Sequence, residues 1–147
     1  MSNNTYNTFT DVNTLGEFGL IRDLTAEIRH CQPTSLLGVG DDAAVIKNTG
    51  EVTVVSTDML VEGIHFDLMY TPLKHLGYKS VVVNLSDIYA MNAVPAQVTV
   101  SIAISNKYSV EALRELYDGI YTACRMYQVD LVGGDTTSSQ KGFIISV

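Results

Sequence analysis

The apolar residues of this chain recur at two spacings, which predict strands and helices in alternation. From Val98 to Ile104, apolar residues alternate with small or polar ones, and this period of two is typical of a strand with one apolar face. After Ser109, apolar residues recur at spacings of three and four, which predicts an amphipathic helix. Its apolar positions are Val110, Leu113, Tyr117, Ile120, Cys124 and Tyr127.

Shorter patterns predict the remaining elements. The β-branched stretches 43–46 and 52–55 flank an Asn-Thr-Gly turn signal and predict a hairpin. The capping-box spacing of Thr14 and Glu17 predicts a helix that ends near Pro33. Thr71, as a cap residue before Pro72 at the first helical position, predicts the start of a helix that reaches about Met91. Two short strands, 130–132 and 142–147, complete the prediction.

These elements together predict a mixed β-sheet with helices on one face, in the α/β (α+β) class. We expect a flexible N-terminus over 1–13 and one domain over 14–147. Because Val147 ends the chain inside an apolar run, we expect the sequence to be a fragment of a longer protein.

The charge balance limits the possible partners. The chain has 9 basic and 16 acidic residues and a formal net charge of -7, which opposes binding to nucleic acid or anionic lipid. Carboxylates that first collect divalent cations can still attract polyphosphates. No apolar run approaches the roughly 20 residues that span a bilayer. With Cys31 and Cys124 interpreted as buried thiols, we expect a soluble cytoplasmic protein.

Four acidic spots lie at the ends of predicted elements and suggest a magnesium site. Mg²⁺ prefers oxygen ligands and combines a few carboxylates with water and substrate phosphates. Any one of these aspartates alone is more simply explained as a turn or helix-cap residue. The four spots are Gly40-Asp41-Asp42, Ser56-Thr57-Asp58, Ser86-Asp87 and Gly133-Gly134-Asp135.

Other candidate motifs are weaker. The pair Gly133-Gly134 allows close approach of backbone to a ligand, but an ordinary turn explains it equally. His65 is more simply a satisfied, partly buried histidine than a phosphate or metal contact. The glycines at 38 and 40 lack the third glycine of a dinucleotide fingerprint, and the segment 77–80 does not fit a P-loop. The residues alone therefore leave the substrate open.

Several segments, taken together, resemble the thiamine-monophosphate kinase family over nearly all of the chain after residue 14. The run from Val61 to Phe66 points to this branch of a superfamily of ATP-using enzymes that includes aminoimidazole ribonucleotide synthetase. The matching segments are Gly16-Glu-Phe-Gly-Leu-Ile21, Gly38-Val-Gly-Asp-Asp-Ala-Ala44, Ser56-Thr-Asp-Met-Leu-Val-Glu-Gly-Ile-His-Phe66, Asn84-Leu-Ser-Asp87 and Leu131-Val-Gly-Gly-Asp-Thr136.

The resemblance implies a role for each matching residue. It implies contacts to ATP from Tyr117, Gly134 and Asp135, and a substrate contact from His65. It implies catalytic roles for Asp58 and Asp135 through the metals that they hold. Whether Asp41 or Asp42 is the ligand stays open. The residues that it implies as ligands of several Mg²⁺ ions are Asp41, Ser56, Thr57, Asp58, Asp87 and Asp135.

The implied reaction is direct in-line transfer of the γ-phosphoryl group of ATP to thiamine monophosphate, giving ADP and thiamine diphosphate. The resemblance also implies an aminoimidazole ribonucleotide synthetase N-terminal-like fold whose sheets pair across a homodimer. The apolar face of the strand 98–104 is expected to need such cover. The chain departs from the family at Asn92, where glycine is usual, and by the absence of the family's C-terminal domain.

Three alternatives remain open from the sequence. The protein could be another ATP-dependent enzyme of the same superfamily that acts on a different small molecule. In this short form it could instead be a non-catalytic dimerisation and metal-binding module. The third alternative is an α/β scaffold whose aspartates only cap turns, in which replacing one aspartate would cost no more than roughly 0.5–2 kcal/mol.

Overall fold

The computed structural model describes residues 16–28 and 30–147, which fall into two compact units that meet in sequence at Pro33 and Thr34. The first unit contains helix α1, Gly16–Thr25. This helix ends earlier than predicted, because Ala26 and Ile28 bond to the carbonyls of Asp23 and Thr25 in short turns. The predicted flexible segment 1–13 and the predicted cap residue Thr14 lie outside the described residues.

The second unit begins with a three-stranded antiparallel sheet in the order β1-β2-β3. Its strands are β1 (Ser35–Leu37), β2 (Ala44–Lys47) and β3 (Val52–Val55). The predicted hairpin is confirmed, since β2 and β3 pair from Ala44 opposite Val55 to Lys47 opposite Val52. The sequence did not predict β1, because three residues are too few to show an alternating pattern.

A four-stranded mixed sheet follows in the order β4-β7-β5-β6. Its strands are β4 (Met59–Val61), β5 (Gln97–Ile104), β6 (Asp130–Ser138) and β7 (Ile144–Ser146). Strand β6 runs parallel to β5, and the other pairings are antiparallel, so the predicted mixed sheet is confirmed. Strand β6 is longer than the predicted 130–132 because its small and polar residues carry no apolar signal while their backbone pairs with β5.

Two long helices, α2 (Leu73–Ala90) and α3 (Val110–Tyr127), confirm the helices predicted in this unit. The hydroxyl oxygen of Ser109 caps α3 by accepting the N–H of Ala112 at 3.2 Å. Helix α2 has Pro72 in the cap position with no side-chain cap, so the expectation that Thr71 caps it is wrong. Within the described residues, none of the helices combines the length and apolar character needed to span a bilayer.

The apolar face of β5 is covered by helices of the same chain. Val98, Val100 and Ile102 are only 9%, 2% and 4% exposed and share one core cluster with Leu76 of α2 and Leu116 of α3. The expectation that this face needs a second chain to cover it is therefore wrong. The alternate residues of β5, on the opposite face of the sheet, remain exposed or half-buried.

Local conformation explains the unusual residue at position 92. Asn92 follows the end of α2 and has a φ of 55°, in the left-handed region. Glycine adopts this region without strain, and asparagine is among the few other residues that tolerate it. The family that the chain resembles usually has glycine here, and the backbone at Asn92 has the conformation that favours glycine.

The two cysteines differ in exposure. Cys124 is buried on α3, and burial raises the pKa of its thiol. Cys31 is exposed, so the expectation of two buried thiols is wrong for this residue. Because α1 already ends at Thr25, Cys31 lies in an irregular segment and not on a packed helix.

Helices α2 and α3 cross closely because each has a glycine at the crossing. A β-carbon added to Gly77 would overlap the carbonyl of Leu116, and one added to Gly119 would overlap the carbonyl of Lys74. Both glycines are buried. The contact of the two backbones sets the height of α2 above the sheet, and with it the position of every polar side chain that α2 carries.

We predict that Gly119→Ala lowers the free energy of unfolding by about 1–3 kcal/mol, because the added methyl group forces the two helices apart. Thermal or chemical unfolding measures the change. Asp118→Ala is the matched control, since Asp118 is the exposed neighbour on the same helix. Equal stability of the two variants would contradict a tight crossing.

Candidate functional site

Three oxygen atoms converge where the segment 56–58 joins β3 to β4. The hydroxyl oxygen of Ser56 lies 3.0 Å from the backbone carbonyl of Asp42 and 3.0 Å from Oδ2 of Asp87 on α2. A serine hydroxyl has one proton to donate, whereas the carbonyl and an ionised carboxylate are both acceptors. The cluster therefore has more lone pairs than protons, an arrangement suited to a bound cation.

A buried asparagine holds this segment against α2. The N–H of Asp58 donates to Oδ1 of Asn84 at 2.9 Å and to the carbonyl of Val147 at 3.1 Å. Asn84 is only 5% exposed, and its Nδ2 donates to the carbonyl of Ser80 at 2.9 Å. Both functions of the amide are thus occupied, so the rotamer of Asn84 and the path of the chain at Asp58 are fixed together.

The carboxyl group of Asp58 has an unfavourable electrostatic environment. Partial burial raises its pKa above the ordinary value of 3.8, the neighbouring carboxylate of Asp87 raises it further, and His65 partly offsets these effects. Two carboxylates close enough to repel each other favour either a proton or a cation between them. The environment of Asp58 therefore agrees with the cation-binding character of the oxygen cluster.

Thr57 and Asp41 lie next to this cluster. The hydroxyl of Thr57 donates to the carbonyl of Val147 at 3.1 Å, and its oxygen lies 3.5 Å from the hydroxyl oxygen of Ser146. Oδ1 of Asp41 accepts the N–H of Asp42 at 3.0 Å. Asp42 thus contributes its carbonyl oxygen to the cluster, and the carboxylate of Asp41 is bonded to the adjacent backbone.

His65 is exposed on a turn that follows β4, which differs from the partly buried histidine of the simpler interpretation. Its Nδ1 accepts the N–H of Val61 at 3.0 Å. The imidazole is close enough to Asp58 to lower the pKa of that carboxyl group. His65 therefore lies at the same edge of the four-stranded sheet as the oxygen cluster, the edge formed by β4.

The remaining predicted residues, Tyr117, Gly134 and Asp135, lie together at a second place. They line an open pocket of about 560 Å³ between α3 and β6. Asp135 aligns with Ser101 of β5, which aligns with Ser146 of β7, which in turn aligns with Met59 of β4. Three strand spacings, roughly 14 Å, therefore separate the backbone of Asp135 from the start of β4.

The predicted site residues thus form two groups. The structure brings together Ser56, Asp58 and Asp87 beside the backbone of Asp42, and it places Asp135 in the separate pocket. Within residues 16–28 and 30–147, no set of three or more His, Cys, Asp or Glu side chains is placed to hold one metal ion. A cation at the oxygen cluster would depend on hydroxyl and carbonyl oxygens as well as carboxylates.

Gly134 is required by the backbone of the pocket. Its φ is 154°, and an added β-carbon would overlap the backbone carbonyl of Val100 on the neighbouring strand. Gly133, one residue earlier, has only a side-chain methyl of Thr99 at 4.0 Å from the position of an added β-carbon. Of the two glycines, only Gly134 is needed for the pairing of β5 with β6.

Sequence reasoning missed the role of Asn84 and of the carbonyl of Asp42. Asn84 precedes Asp87 by three positions, and residues at that spacing share one face of a helix. This spacing was the available signal for Asn84. No sequence signal identifies a carbonyl group as a ligand, because every residue has one.

Comparison with known proteins agrees with this geometry. The family model described as AIR synthase related protein, N-terminal domain, matches residues 40–147. The chain belongs to this family. The match begins at Gly40, beside Asp41 and Asp42, and includes every residue of both groups described above.

Individual relatives of this AIR synthase related domain are similar along most of its length. Thiamine-monophosphate kinase of Bacillus subtilis is 35% identical over 134 residues, 90% of this chain and 41% of the relative. The Synechococcus elongatus protein of the same name is 40% identical over 101 residues, 68% of this chain and 31% of the relative. The chain therefore spans less than half the length of these curated relatives.

A solved structure extends the comparison to three dimensions. The structure described as "AaThiL complexed with AMPPCP and TMP" superposes with a TM-score of 0.82 at 29% identity. The superposition covers 94% of this chain and 42% of the other. The predicted fold of an aminoimidazole ribonucleotide synthetase-like N-terminal domain is thereby confirmed.

We predict that Gly134→Ala destabilises the AIR synthase related domain by roughly 1–3 kcal/mol, the usual cost of forcing a side chain into a strained backbone conformation. Gly133→Ala is the matched control and is expected to have a much smaller effect. Urea unfolding of both variants measures the difference. Similar losses in the two would show that β5 does not approach Gly134 as closely as described.

We predict that Asp58→Asn stabilises the domain at neutral pH in the absence of divalent cations. Because folding raises the pKa of Asp58, the folded chain binds this proton more tightly, and stability falls as the pH rises from 3.8 through the folded-state pKa. The variant has no ionisable group at this position and does not lose this stability as the pH rises. Thermal unfolding from acidic to neutral pH measures it, with Asp118→Asn on exposed α3 surface as the charge-matched control. A variant that is less stable than the parent at neutral pH would contradict the repulsion.

Proposed function

We propose that this chain is the nucleotide- and metal-binding part of a thiamine-monophosphate kinase, which converts ATP and thiamine monophosphate to ADP and thiamine diphosphate. Curated relatives with this name support the proposal, as does the likeness to a structure described with AMPPCP and TMP bound. The observation that carries it is the oxygen cluster of Ser56, Asp87 and the carbonyl of Asp42 beside the raised-pKa carboxyl of Asp58.

The donor atoms of the cluster fit Mg²⁺. They are hydroxyl, carbonyl and carboxylate oxygens, which this hard cation prefers, and they are too few to enclose it without water or phosphate. We therefore propose that Mg²⁺ is held by Ser56, Asp58 and Asp87, with Asp41, Thr57 and Asp135 contributing to further ions. When bound, the metal ions neutralise charge on the phosphate oxygens during transfer.

The pocket beside β6 is the proposed position of the nucleotide. Gly133 and Gly134 are exposed on β6, so their backbone is accessible to a ligand that lies on this strand. Tyr117 of α3 forms one wall of this pocket, and partial burial raises the pKa of its hydroxyl. Asp135 is exposed at the same place and brings a carboxylate to the metal ions that accompany a polyphosphate.

The proposed chemistry depends on positioning and charge. Asp58 and Asp135 are the proposed catalytic residues and would hold the metal ions that neutralise the phosphate charge, and His65 would contact the anionic end of thiamine monophosphate. Phosphoryl transfer of this kind requires alignment and electrostatic stabilisation more than a dedicated base. Direct in-line attack by the substrate phosphate involves no phosphoenzyme.

We also propose that the protein acts as a cytoplasmic homodimer. The apolar side of β5 does not support a dimer, because helices α2 and α3 of the same chain cover it. The support is the opposite side of the four-stranded sheet, where the exposed Met59 and Thr99 and the half-buried Ala103 and Val61 lie without burial in the core. A second copy of this sheet would cover a surface of this composition.

Calorimetric titration of this chain with AMPPCP, with and without Mg²⁺, tests the proposal. We expect binding that depends on Mg²⁺ and is lost in Asp58→Asn, because that variant removes the carboxylate beside the oxygen cluster. Asp118→Asn removes the same charge elsewhere and is expected to bind like the parent. Sedimentation of the same sample measures the dimer.

A second titration with thiamine monophosphate, in the presence of AMPPCP and Mg²⁺, tests the substrate. Saturable binding is expected, with thiamine and inorganic phosphate as the comparison ligands. Nucleotide binding without any preference for thiamine monophosphate would favour a different substrate within the same family. No binding of AMPPCP by the folded chain would contradict the nucleotide site.

A further inference from the structure

The turn that carries His65 is closed on itself by backbone hydrogen bonds. The N–H of His65 donates to the carbonyl of Val61 at 2.9 Å, and the N–H of Gly63 donates to the carbonyl of Phe66 at 2.8 Å. Gly63 has a φ of 81°, which permits this tight reversal. The ring of Phe66 is buried, with its edge against Phe143. The exposed imidazole of His65 is therefore attached to a turn whose backbone is held by hydrogen bonds and by the buried ring of Phe66.

Hydrogen bonds of Glu62 attach the first residues of this turn to the core. Its Oε2 accepts the backbone N–H of Phe143 at 2.8 Å and the hydroxyl of Tyr108 at 3.1 Å. The backbone N–H of Glu62 also donates to the carbonyl of Phe143 at 2.9 Å. Hydrogen bonds to an ionised acceptor are stronger than neutral ones. The half-buried carboxylate of Glu62 thus joins the turn to two separate segments, those of Tyr108 and Phe143.

A hydrogen bond of Lys79 attaches the turn to α2. Its Nζ donates to the carbonyl of His65 at 2.9 Å. Helix α2 also carries Asn84 and Asp87, so the same helix positions the oxygen cluster and the histidine. Helix α2 therefore contacts both the oxygen cluster and the turn that carries His65.

The bond from Val61 selects the tautomer of His65. Because Nδ1 accepts the N–H of Val61 at 3.0 Å, it must present a lone pair, and the proton of the neutral ring lies on Nε2. We propose that Glu62 and Lys79 are positioning residues that hold His65 as an Nε2–H donor toward the anionic group of the substrate. This inference rests on the proposed function.

The histidine nitrogens give a test that needs no ligand. Nitrogen-15 spectra of the side chains distinguish Nε2–H from Nδ1–H, and His65→Asn identifies the signals of His65 among the three histidines of the chain. We expect Nε2–H in the parent, and a mixture of tautomers in Lys79→Met and in Glu62→Gln. Lys79→Arg is expected to restore the parent signals. Lys74→Met removes an exposed lysine from the same helix and is the charge-matched control.

The same variants are then titrated with thiamine monophosphate and, separately, with AMPPCP and Mg²⁺. We expect about tenfold weaker binding of thiamine monophosphate in Lys79→Met and Glu62→Gln, the usual effect of losing one hydrogen bond to a charged group. Affinity for AMPPCP is expected to stay unchanged, because neither residue lines its pocket. This separation excludes general unfolding as the cause.

The outcomes distinguish the two proposals. Unchanged nitrogen signals and unchanged affinity in both variants would overturn the positioning role while leaving the proposed function intact. Failure of the parent chain to bind thiamine monophosphate would overturn the proposed function, and with it the role of His65 toward the substrate, whatever the nitrogen spectra show.

Discussion

The hydrogen bond from the backbone N–H of Asp58 to the side chain of Asn84 is the constraint on which the acidic site depends. It joins a segment between two sheets to a helix, and the hydrogen bond from Ser56 to Asp87 joins the same two elements. Asn84 can accept this bond only in one orientation, since its other end donates to Ser80 within α2. Burial makes the arrangement costly to break, because an unpaired polar group in the core loses its hydration without compensation.

Two glycines, one on each helix, determine how closely α2 packs against α3. Gly77 and Gly119 allow α2 and α3 to touch through their backbones, and the apolar face of β5 packs beneath both. Asn84 and Asp87 then project from α2 at the end of the sheet where β4 begins. The stability of the core and the geometry of the oxygen cluster are consequently coupled, although the carboxylates of Asp58 and Asp87 repel each other there. A site of this kind stores electrostatic strain that a bound cation relieves.

The two groups of candidate residues lie at opposite edges of the four-stranded sheet. One is attached to β4 and α2, and the other to β6 and α3. The register across the sheet aligns the start of β4 with Asp135, so that an extended ligand, rather than a single ion, is required to join them. A nucleotide with its phosphates and metal ions is such a ligand, which agrees with the proposed kinase reaction.

The sequence by itself determined the amphipathic helix α3, the strand β5, the β2–β3 hairpin and, by resemblance, the family to which the chain belongs. These follow from local periodicity and from short motifs, which need no knowledge of distant contacts. Only the tertiary structure decided that β5 is covered by its own helices, that β6 extends to Ser138, and that Asp135 lies apart from Asp58. It also decided that Asn84 and the carbonyl of Asp42 belong to the site. The reason is physical: strand order, helix crossing and the satisfaction of buried polar groups depend on residues far apart in the chain, and no local pattern records them.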